Sequence, residues 1–262
     1  MIPRAAITEW TQFAPWKNMH QVEQDLIICR ALQAIFSDKI LSTKLAFRGG
    51  TALHKLFLSP QKRYSEDIDL VQITSGPIGV ILDKIKEVLF FLEIHKIKQK
   101  ENNNSLIFTF PTTFLPETVM KLKVEINCQE HFSMFEPLLA PFEIKNQWYS
   151  GNCLIQTYCF NELIGTKLRA LYQRKKGRDL FDLYCAIKSG LLDVDSCIIC
   201  YKKYMEYAYN KIPSAKEYLT NLEDKIRDGS FRQDIVPIIG SDVVYDVDTA
   251  FSAIKTYFVS KM

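Results

Sequence analysis

The sequence lacks the features that mark membrane, exported and repetitive proteins. No apolar stretch approaches the roughly 20 residues that cross a bilayer as a helix. The start, Met1-Ile2-Pro3-Arg4, has no apolar run of the kind that an export signal carries. There is also no internal repeat and no low-complexity tract. These absences predict a cytoplasmic protein that does not associate with membranes.

The cysteine pattern gives no sign of a disulfide framework or a zinc finger. The seven cysteines are odd in number and scattered in spacing, which is typical of reduced thiols in the cytoplasm. Cys197 and Cys200 form one C-x-x-C pair, but no second Cys or His pair follows at zinc-finger spacing. We therefore interpret these two cysteines as small buried residues on a helix.

A strong excess of charge is also missing. With 33 basic and 30 acidic residues, the net charge is only +3, so binding to nucleic acid would require a local basic patch. The densest basic run is 174–178, Arg-Lys-Lys-Gly-Arg. It is either a solvated loop or a contact to the phosphates of a triphosphate or an RNA. Tyr172 and Tyr184 beside it either stack on a base or belong to the core.

The hydrophobic pattern predicts two domains of different character. Hydrophobic residues make up 47% of the chain, which is enough for a sizeable core. Helical and alternating patterns mix up to about residue 158, and helical patterns dominate after it. We therefore predict a mixed α/β domain at 1–158 and a helical domain at 159–262. Strands are predicted at 44–48, 68–73, 94–100, 105–110 and 120–127, with an Asn turn at 102–104, and helices at 20–37, 51–58, 79–93, 161–172, 178–188, 192–228 and 245–258.

Two glycines separate the first strand from the helix that follows it. Gly49 and Gly50 allow the backbone to approach a ligand closely, and Thr51 is predicted to cap the helix. A helix start offers unpaired N–H groups and a positive dipole end, which suit a phosphate. Taken alone, however, two glycines at this position are more often only a tight turn.

Three carboxylates are candidates for binding a metal ion. In a strand, Asp67 and Asp69 point to the same face, and Glu125 lies on the polar face of a later strand. If the two strands are neighbours, the three acids converge. Paired carboxylates repel one another unless a cation or a proton lies between them, and hard divalent ions such as Mg²⁺ prefer oxygen ligands. Glu125 is the least secure of the three, and Glu130 is its alternative.

These motifs together resemble the AbiEii/AbiGii toxin family of DNA polymerase β-like nucleotidyltransferases. The resemblance lies in the segments 49–53 (Gly-Gly-Thr-Ala-Leu) and 63–70 (Arg-Tyr-Ser-Glu-Asp-Ile-Asp-Leu). It continues in the segments 167–171 (Lys-Leu-Arg-Ala-Leu) and 178–184 (Arg-Asp-Leu-Phe-Asp-Leu-Tyr). The resemblance implies the nucleotidyltransferase fold: a mixed sheet with flanking helices, followed by a helical lobe.

The resemblance also implies roles for individual residues, with Mg²⁺ (or Mn²⁺) as cofactor and an NTP as substrate. Asp67 and Asp69 would hold the metal ion, with Glu125 as the third ligand, and Lys167 and Asp182 would complete the catalytic set. The nucleotide would be bound by Gly49, Gly50, Thr51, Ser65, Lys167 and Arg178. The spacing of Arg178 and Asp182 by four residues would also allow an ion pair between them.

Members of this family are toxins of toxin–antitoxin or abortive-infection systems, so the resemblance implies a cognate antitoxin. Some members add nucleotides to the 3′ end of tRNA, which makes tRNA a candidate acceptor. Three alternatives stay open: transfer to a small molecule or a protein, a binding module without activity, and a metal-dependent nuclease. The Gly-Gly-Thr turn favours a triphosphate ligand over the nuclease.

Overall fold

The computed structural model describes residues 2–99 and 102–262. The chain divides into two compact units, of which the first ends at Tyr158 and the second begins at Cys159. Among the described residues, no helix combines the length and the apolar character needed to cross a membrane.

The first unit contains five helices and seven strands among its described residues. The helices are α1 (Arg4–Trp10), α2 (Met19–Ser37), α3 (Leu41–Lys44), α4 (Gly49–Leu56) and α5 (Gly79–Val88). The strands are β1 (Leu45–Arg48), β2 (Asp67–Gln72), β3 (Glu93–Lys98), β4 (Asn103–Pro111), β5 (Val119–Asn127), β6 (Leu138–Lys145) and β7 (Ser150–Thr157).

The strands form one mixed sheet in the order β3-β4-β5-β2-β1-β7-β6. β2 pairs parallel with β5 and antiparallel with β1, and β1 pairs parallel with β7. In β4 and β5 buried residues alternate with more exposed ones, because one face of the sheet covers the core. Helix α2 packs into this core and buries most of its length, including Leu26, Ile28 and Leu32.

The second unit is built mainly of helices joined by turns and irregular segments. Its helices are α6 (Phe160–Gln173), α7 (Gly177–Lys188), α8 (Val194–Tyr209), α9 (Ala215–Ile226), α10 (Gly229–Gln233) and α11 (Val247–Tyr257), followed by a 3₁₀ turn at Val259–Lys261. Cys197 and Cys200 are buried free thiols on α8, which confirms the prediction for this pair. They pack against α6, where a Cβ added to Gly165 would lie 2.5 Å from the Cβ of Cys200.

Several predicted elements differ from those observed. β6 and β7 were missed because much of β6 is exposed on both faces, so its sequence shows no clear alternation. The helix predicted at 79–93 ends at Val88, and the helical stretch at 192–228 is broken at Asn210, which adopts a left-handed conformation with φ of 52°. The predicted Asn turn is wrong in part, since β4 begins at Asn103. The strand predicted at 94–100 ends at a residue outside the described part of the chain.

Candidate active site

The position of β2 between β1 and β5 brings the acidic residues to one face of the sheet. Asp69 lies opposite Arg48 of β1 on one side and opposite Glu125 of β5 on the other. Asp67 lies opposite Lys123. Because residues opposite each other on neighbouring strands point to the same side, all five side chains share this face. β2 and β5 are therefore neighbours, as the predicted convergence of the three acids requires.

The turn after β1 brings the backbone into contact with Asp69. Gly49 has a φ of +82°, a conformation that L side chains rarely adopt, and a Cβ built on it would lie 2.3 Å from Oδ2 of Asp69. Helix α4 begins at this glycine. The first N–H groups of α4, which lack partners within the helix, therefore lie beside a catalytic candidate.

Two predicted phosphate ligands have structural contacts through their hydroxyls. The Thr51 side chain donates a hydrogen bond to the backbone carbonyl of Asp67 at 2.6 Å, and the residue is buried. Its predicted role as the helix cap is wrong, since Arg48 occupies the N-cap position. Ser65 is also buried, and its Oγ accepts a hydrogen bond from Nη1 of Arg63 at 2.9 Å. Both hydroxyls thus stabilise the backbone where β2 begins.

A lysine lies among the carboxylates of this face. The ammonium of Lys123 pairs with Oε2 of Glu125 and lies 3.9 Å from Oδ2 of Asp67. On the far side of Glu125, the amide of Asn103 donates to Oε1 at 2.5 Å. Partial burial alone would raise the pKa of Glu125, but the hydrogen bonds from Lys123 and Asn103 outweigh it and lower that pKa.

Asp67 is affected in the opposite direction. Burial, the largest cause, raises its pKa to about 6, and the negative charges of Asp69, Glu66 and Glu125 add to this effect. Lys123 opposes it but does not cancel it. A cation at this position would stabilise the ionised form of Asp67 and relieve the repulsion from its acidic neighbours.

The carboxylate oxygens of Asp67 and Asp69 suit a hard divalent ion bound by two carboxylates. Asp67 and Asp69 present oxygen ligands side by side, and Mg²⁺ is commonly bound by one or two carboxylates together with substrate phosphates. Among residues 2–99 and 102–262, no group of three His, Cys, Asp or Glu residues has an arrangement that could hold a metal ion. The contacts of Glu125 with Lys123 and Asn103 are consistent with this result.

The alternative third ligand, Glu130, is engaged elsewhere. Its carboxylate is buried and pairs with the guanidinium of Arg48. Burial would lower the pKa of Arg48, but the attraction of Glu130 outweighs it, and the pKa is raised. Glu130 therefore secures Arg48 beside the acidic face.

In the second unit, Lys167 and Asp182 belong to one buried network of charges. Nζ of Lys167 lies 2.7 Å from Oδ2 of Asp182 and 3.0 Å from Oδ1 of Asp179. Arg174 donates to both oxygens of Asp179, at 2.6 and 2.8 Å. Although burial would raise the pKa of Asp179, Lys167 and Arg174 lower it. The network holds the Lys167 side chain in a fixed position.

The predicted ion pair between Arg178 and Asp182 is replaced by other pairs. Nε of Arg178 lies 3.3 Å from Oδ2 of Asp234, which also accepts from the Arg178 backbone N–H at 3.1 Å. The neighbours of Arg178 in the basic run have acidic partners as well: Lys175 pairs with Asp228, and Lys176 lies 3.6 Å from Asp234. The positive charge of the run is thus largely compensated within its own unit.

The two tyrosines beside the basic run contact other side chains of the second unit. Tyr172 stacks on Tyr218 with ring centroids 5.5 Å apart. Tyr184 packs against Tyr245 and lies under the ammonium of Lys188. These contacts favour the interpretation of both tyrosines as part of the packing of this unit.

Several residues of the two clusters had no predicted role, among them Lys123, Asp179 and Asn103. Lys123 could have been assigned one, because it alternates with Glu125 on the same face of β5. Asp179 shares a helix face with Asp182, which lies three positions later. It contacts Lys167, however, which is twelve residues earlier in the sequence, and no local sequence pattern indicates that contact. Asn103 was given no role because the sequence pattern placed it in a turn rather than in β4.

The chain is similar to known proteins in both sequence and structure. The model of the family described as "Nucleotidyl transferase AbiEii toxin, Type IV TA system" matches residues 30–253. The structure resembles that of MenT4, a nucleotidyltransferase toxin of Mycobacterium tuberculosis, with a TM-score of 0.67 and 16% identity over 100% of this chain and 91% of that chain. It also resembles a candidate nucleotidyltransferase from H. pylori, with a TM-score of 0.54 and 16% identity over 92% of this chain and 93% of that chain.

A search of curated proteins found no match. The structural similarities, at 16% identity, establish the fold, and the predicted mixed α/β nucleotidyltransferase fold is confirmed.

Proposed function

Because the chain belongs to the AbiEii family of nucleotidyltransferase toxins of type IV toxin–antitoxin systems, we propose that it transfers a nucleoside monophosphate from an NTP to an acceptor hydroxyl in a Mg²⁺-dependent reaction. The observation that carries the proposal is the acidic face of β2 and β5, against which the Gly49 turn lies. We assign the nucleotidyltransferase domain to residues 1–158 and a helical C-terminal domain to residues 159–262.

The triphosphate is bound at the beginning of α4. The N–H groups of Gly49, Gly50 and Thr51 lie in the first turn, where no helical carbonyl accepts from them, and the helix dipole favours negative charge there. Thr51 contributes only its backbone N–H, because its hydroxyl donates to the Asp67 carbonyl. Ser65 retains a hydroxyl proton for a phosphate oxygen, since its contact with Arg63 uses it as an acceptor.

Asp67 and Asp69 hold the metal ion, with Mn²⁺ as an alternative to Mg²⁺. When bound, the ion neutralises phosphate charge and stabilises the charge that develops in the transition state. Lys123 already supplies a positive charge on the β5 side of these acids. Glu125 would be the third ligand only if its ion pair with Lys123 were broken.

The transfer is an in-line displacement at the α-phosphorus. The acceptor oxygen forms a bond to this phosphorus and its proton passes to water, while the bond from the phosphorus to the α–β bridging oxygen breaks and its electron pair leaves with pyrophosphate. The contribution of the protein is mainly to position the triphosphate against the carboxylates and to neutralise charge.

Lys167, Asp182 and Arg178 enter the proposal through the family resemblance. Lys167 contacts nucleotide phosphates, and its side chain is oriented by Asp179 and Asp182. Asp182 is fully buried and ion-paired, so we assign it an orienting role rather than that of a base. Arg178 keeps the proposed nucleotide contact, although its pair with Asp234 must be displaced or shared.

The proposed acceptor is the 3′ end of tRNA, and the proposed partner in the cell is the cognate antitoxin. Incubation of the protein with Mg²⁺ and each α-³²P-labelled NTP, in parallel with tRNA, a protein extract and small hydroxyl compounds, tests the acceptor. Label in tRNA supports the proposal and names the nucleotide. Label in another acceptor class replaces tRNA with that class, and nucleotide binding without any transfer supports an inactive binding module.

A further inference from the structure

The exposed face of the sheet continues from the carboxylates across β4 to the edge strand β3. Lys98, Ser105, Glu125 and Asp69 lie opposite one another in a row across the four strands β3, β4, β5 and β2. Because neighbouring strands lie roughly 4.8 Å apart, Lys98 lies about 15 Å from Asp69 along this row. The open face of β3 to β5 is thus a continuous extension of the candidate active site.

The charge on this extension is mostly positive. One row across the strands contains Lys96, Ile107 and Lys123. In the next row Lys121 lies opposite Thr109. We call the exposed lysines Lys96, Lys98 and Lys121 the lysine strip. Among the face positions of β3 to β5 in the described part of the chain, Glu93 is the one acid besides Glu125.

The lysine strip differs from the basic run at 174–178 in its pairing. The cations of that run have acidic partners, as described above. No ion pair involves the side chains of Lys96, Lys98 or Lys121 among residues 2–99 and 102–262. All three are exposed. Exposed lysines without an acidic partner in the described part of the chain, on a sheet face beside a candidate site for phosphoryl chemistry, are complementary to a polyanion.

We propose that the lysine strip binds the phosphate backbone of an RNA acceptor and directs its end toward Asp67 and Asp69. This inference rests on the proposed nucleotidyl transfer and adds the surface on which the acceptor lies. Lysine contacts to phosphates position a strand without reading its sequence, so the strip sets the affinity and orientation of the RNA. The nucleotide itself is bound elsewhere, at the beginning of α4, and does not use the strip.

The test is binding of 5′-fluorescein-labelled bulk tRNA to the full chain, followed by fluorescence anisotropy over a range of KCl concentrations. The test variant replaces Lys96, Lys98 and Lys121 with Gln. We expect the slope of log Kd against log[KCl] to fall by about 2, and the affinity to fall roughly tenfold, because three phosphate contacts are lost. Binding of a fluorescent NTP analogue with Mg²⁺ should be unchanged.

The matched control is the variant Lys17→Gln, Lys39→Gln, Lys44→Gln, which removes three exposed lysines of the same unit before the start of β1. It should keep the wild-type salt slope. An unchanged slope in the strip variant, or an equal loss in the control, overturns the proposal. If the protein does not bind tRNA and transfers the nucleotide to an acceptor other than RNA, the proposed role of the lysine strip is overturned, but the proposed nucleotidyl transfer stands. Failure of the wild type to bind any NTP overturns both.

Discussion

At the scale of single residues, the charges at the two candidate clusters are held in different ways. On the sheet face, Asp67 is partly exposed and repelled by its acidic neighbours. In the helical unit, Asp179 and Asp182 are fully buried and depend on Lys167. Substitutions that change the charge by one unit should therefore have opposite effects on stability at the two clusters.

Asp67→Asn should stabilise the metal-free fold at neutral pH. The carboxyl has a pKa near 6 in the folded protein, above the ordinary value of 3.8, so its ionisation disfavours the folded state. The cost is absent below pH 4, where both states are protonated, grows between pH 4 and 6, and is complete above pH 6. Thermal unfolding in EDTA should give the variant a Tm higher by roughly 2 °C at pH 8 and an equal Tm at pH 3.5.

Asp83→Asn is the control for this measurement, since Asp83 is an exposed helical residue that pairs with Lys86. It should show no stabilisation at pH 8. A lower Tm for Asp67→Asn at pH 8 would contradict the charge repulsion described for this site.

Lys167→Met should destabilise the protein by about 3–5 kcal/mol, because the buried carboxylates of Asp182 and Asp179 would both lose the ammonium that they contact. Adding Asp182→Asn to this variant should restore part of the loss. Urea unfolding measures both, with the exposed Lys203→Met as control. A loss under ~1 kcal/mol would mean that Lys167 is not needed for the charge balance of the network.

At the scale of elements, the turn between β1 and α4 links the fold to the site. Gly49→Ala adds a Cβ 2.3 Å from Oδ2 of Asp69, in a left-handed conformation that costs an L residue about 1 kcal/mol or more. We expect a loss of about 1–3 kcal/mol in urea unfolding and weaker NTP binding. Gly79→Ala, at the start of α5 with nothing within 4 Å of the added Cβ, is the control. Equal effects of the two changes would show that the close approach to Asp69 is not required.

The elements also show what could be predicted from the sequence. The shared face of Asp67 and Asp69 follows from a spacing of two in a strand, and β5 shows a clear alternation that places Glu125. Contacts such as Arg48 with Glu130, 82 residues apart, have no local pattern. For the same reason the compensation of Arg178 by Asp234, 56 residues away, could not be anticipated.

At the scale of the whole molecule, the chain has two compact units, and the family match spans the boundary between them. The motifs that carried the resemblance are divided between the units: Gly49, Gly50, Asp67 and Asp69 belong to the first, and Lys167 and Asp182 to the second. The net charge of +3 gives no general attraction to nucleic acid. In our account, RNA binding therefore depends on a local surface.

We propose above all that the carboxylates of β2 support transfer of a nucleoside monophosphate. The most direct measurement compares α-³²P- and γ-³²P-labelled NTP with Mg²⁺ and tRNA, for the wild type and for Asp67→Asn. We expect the wild type to move only the α label to the acceptor and to release the γ label as pyrophosphate. The variant should lose at least ~100-fold in rate while remaining folded. Transfer of the γ label, or full activity in the folded variant, would contradict the account.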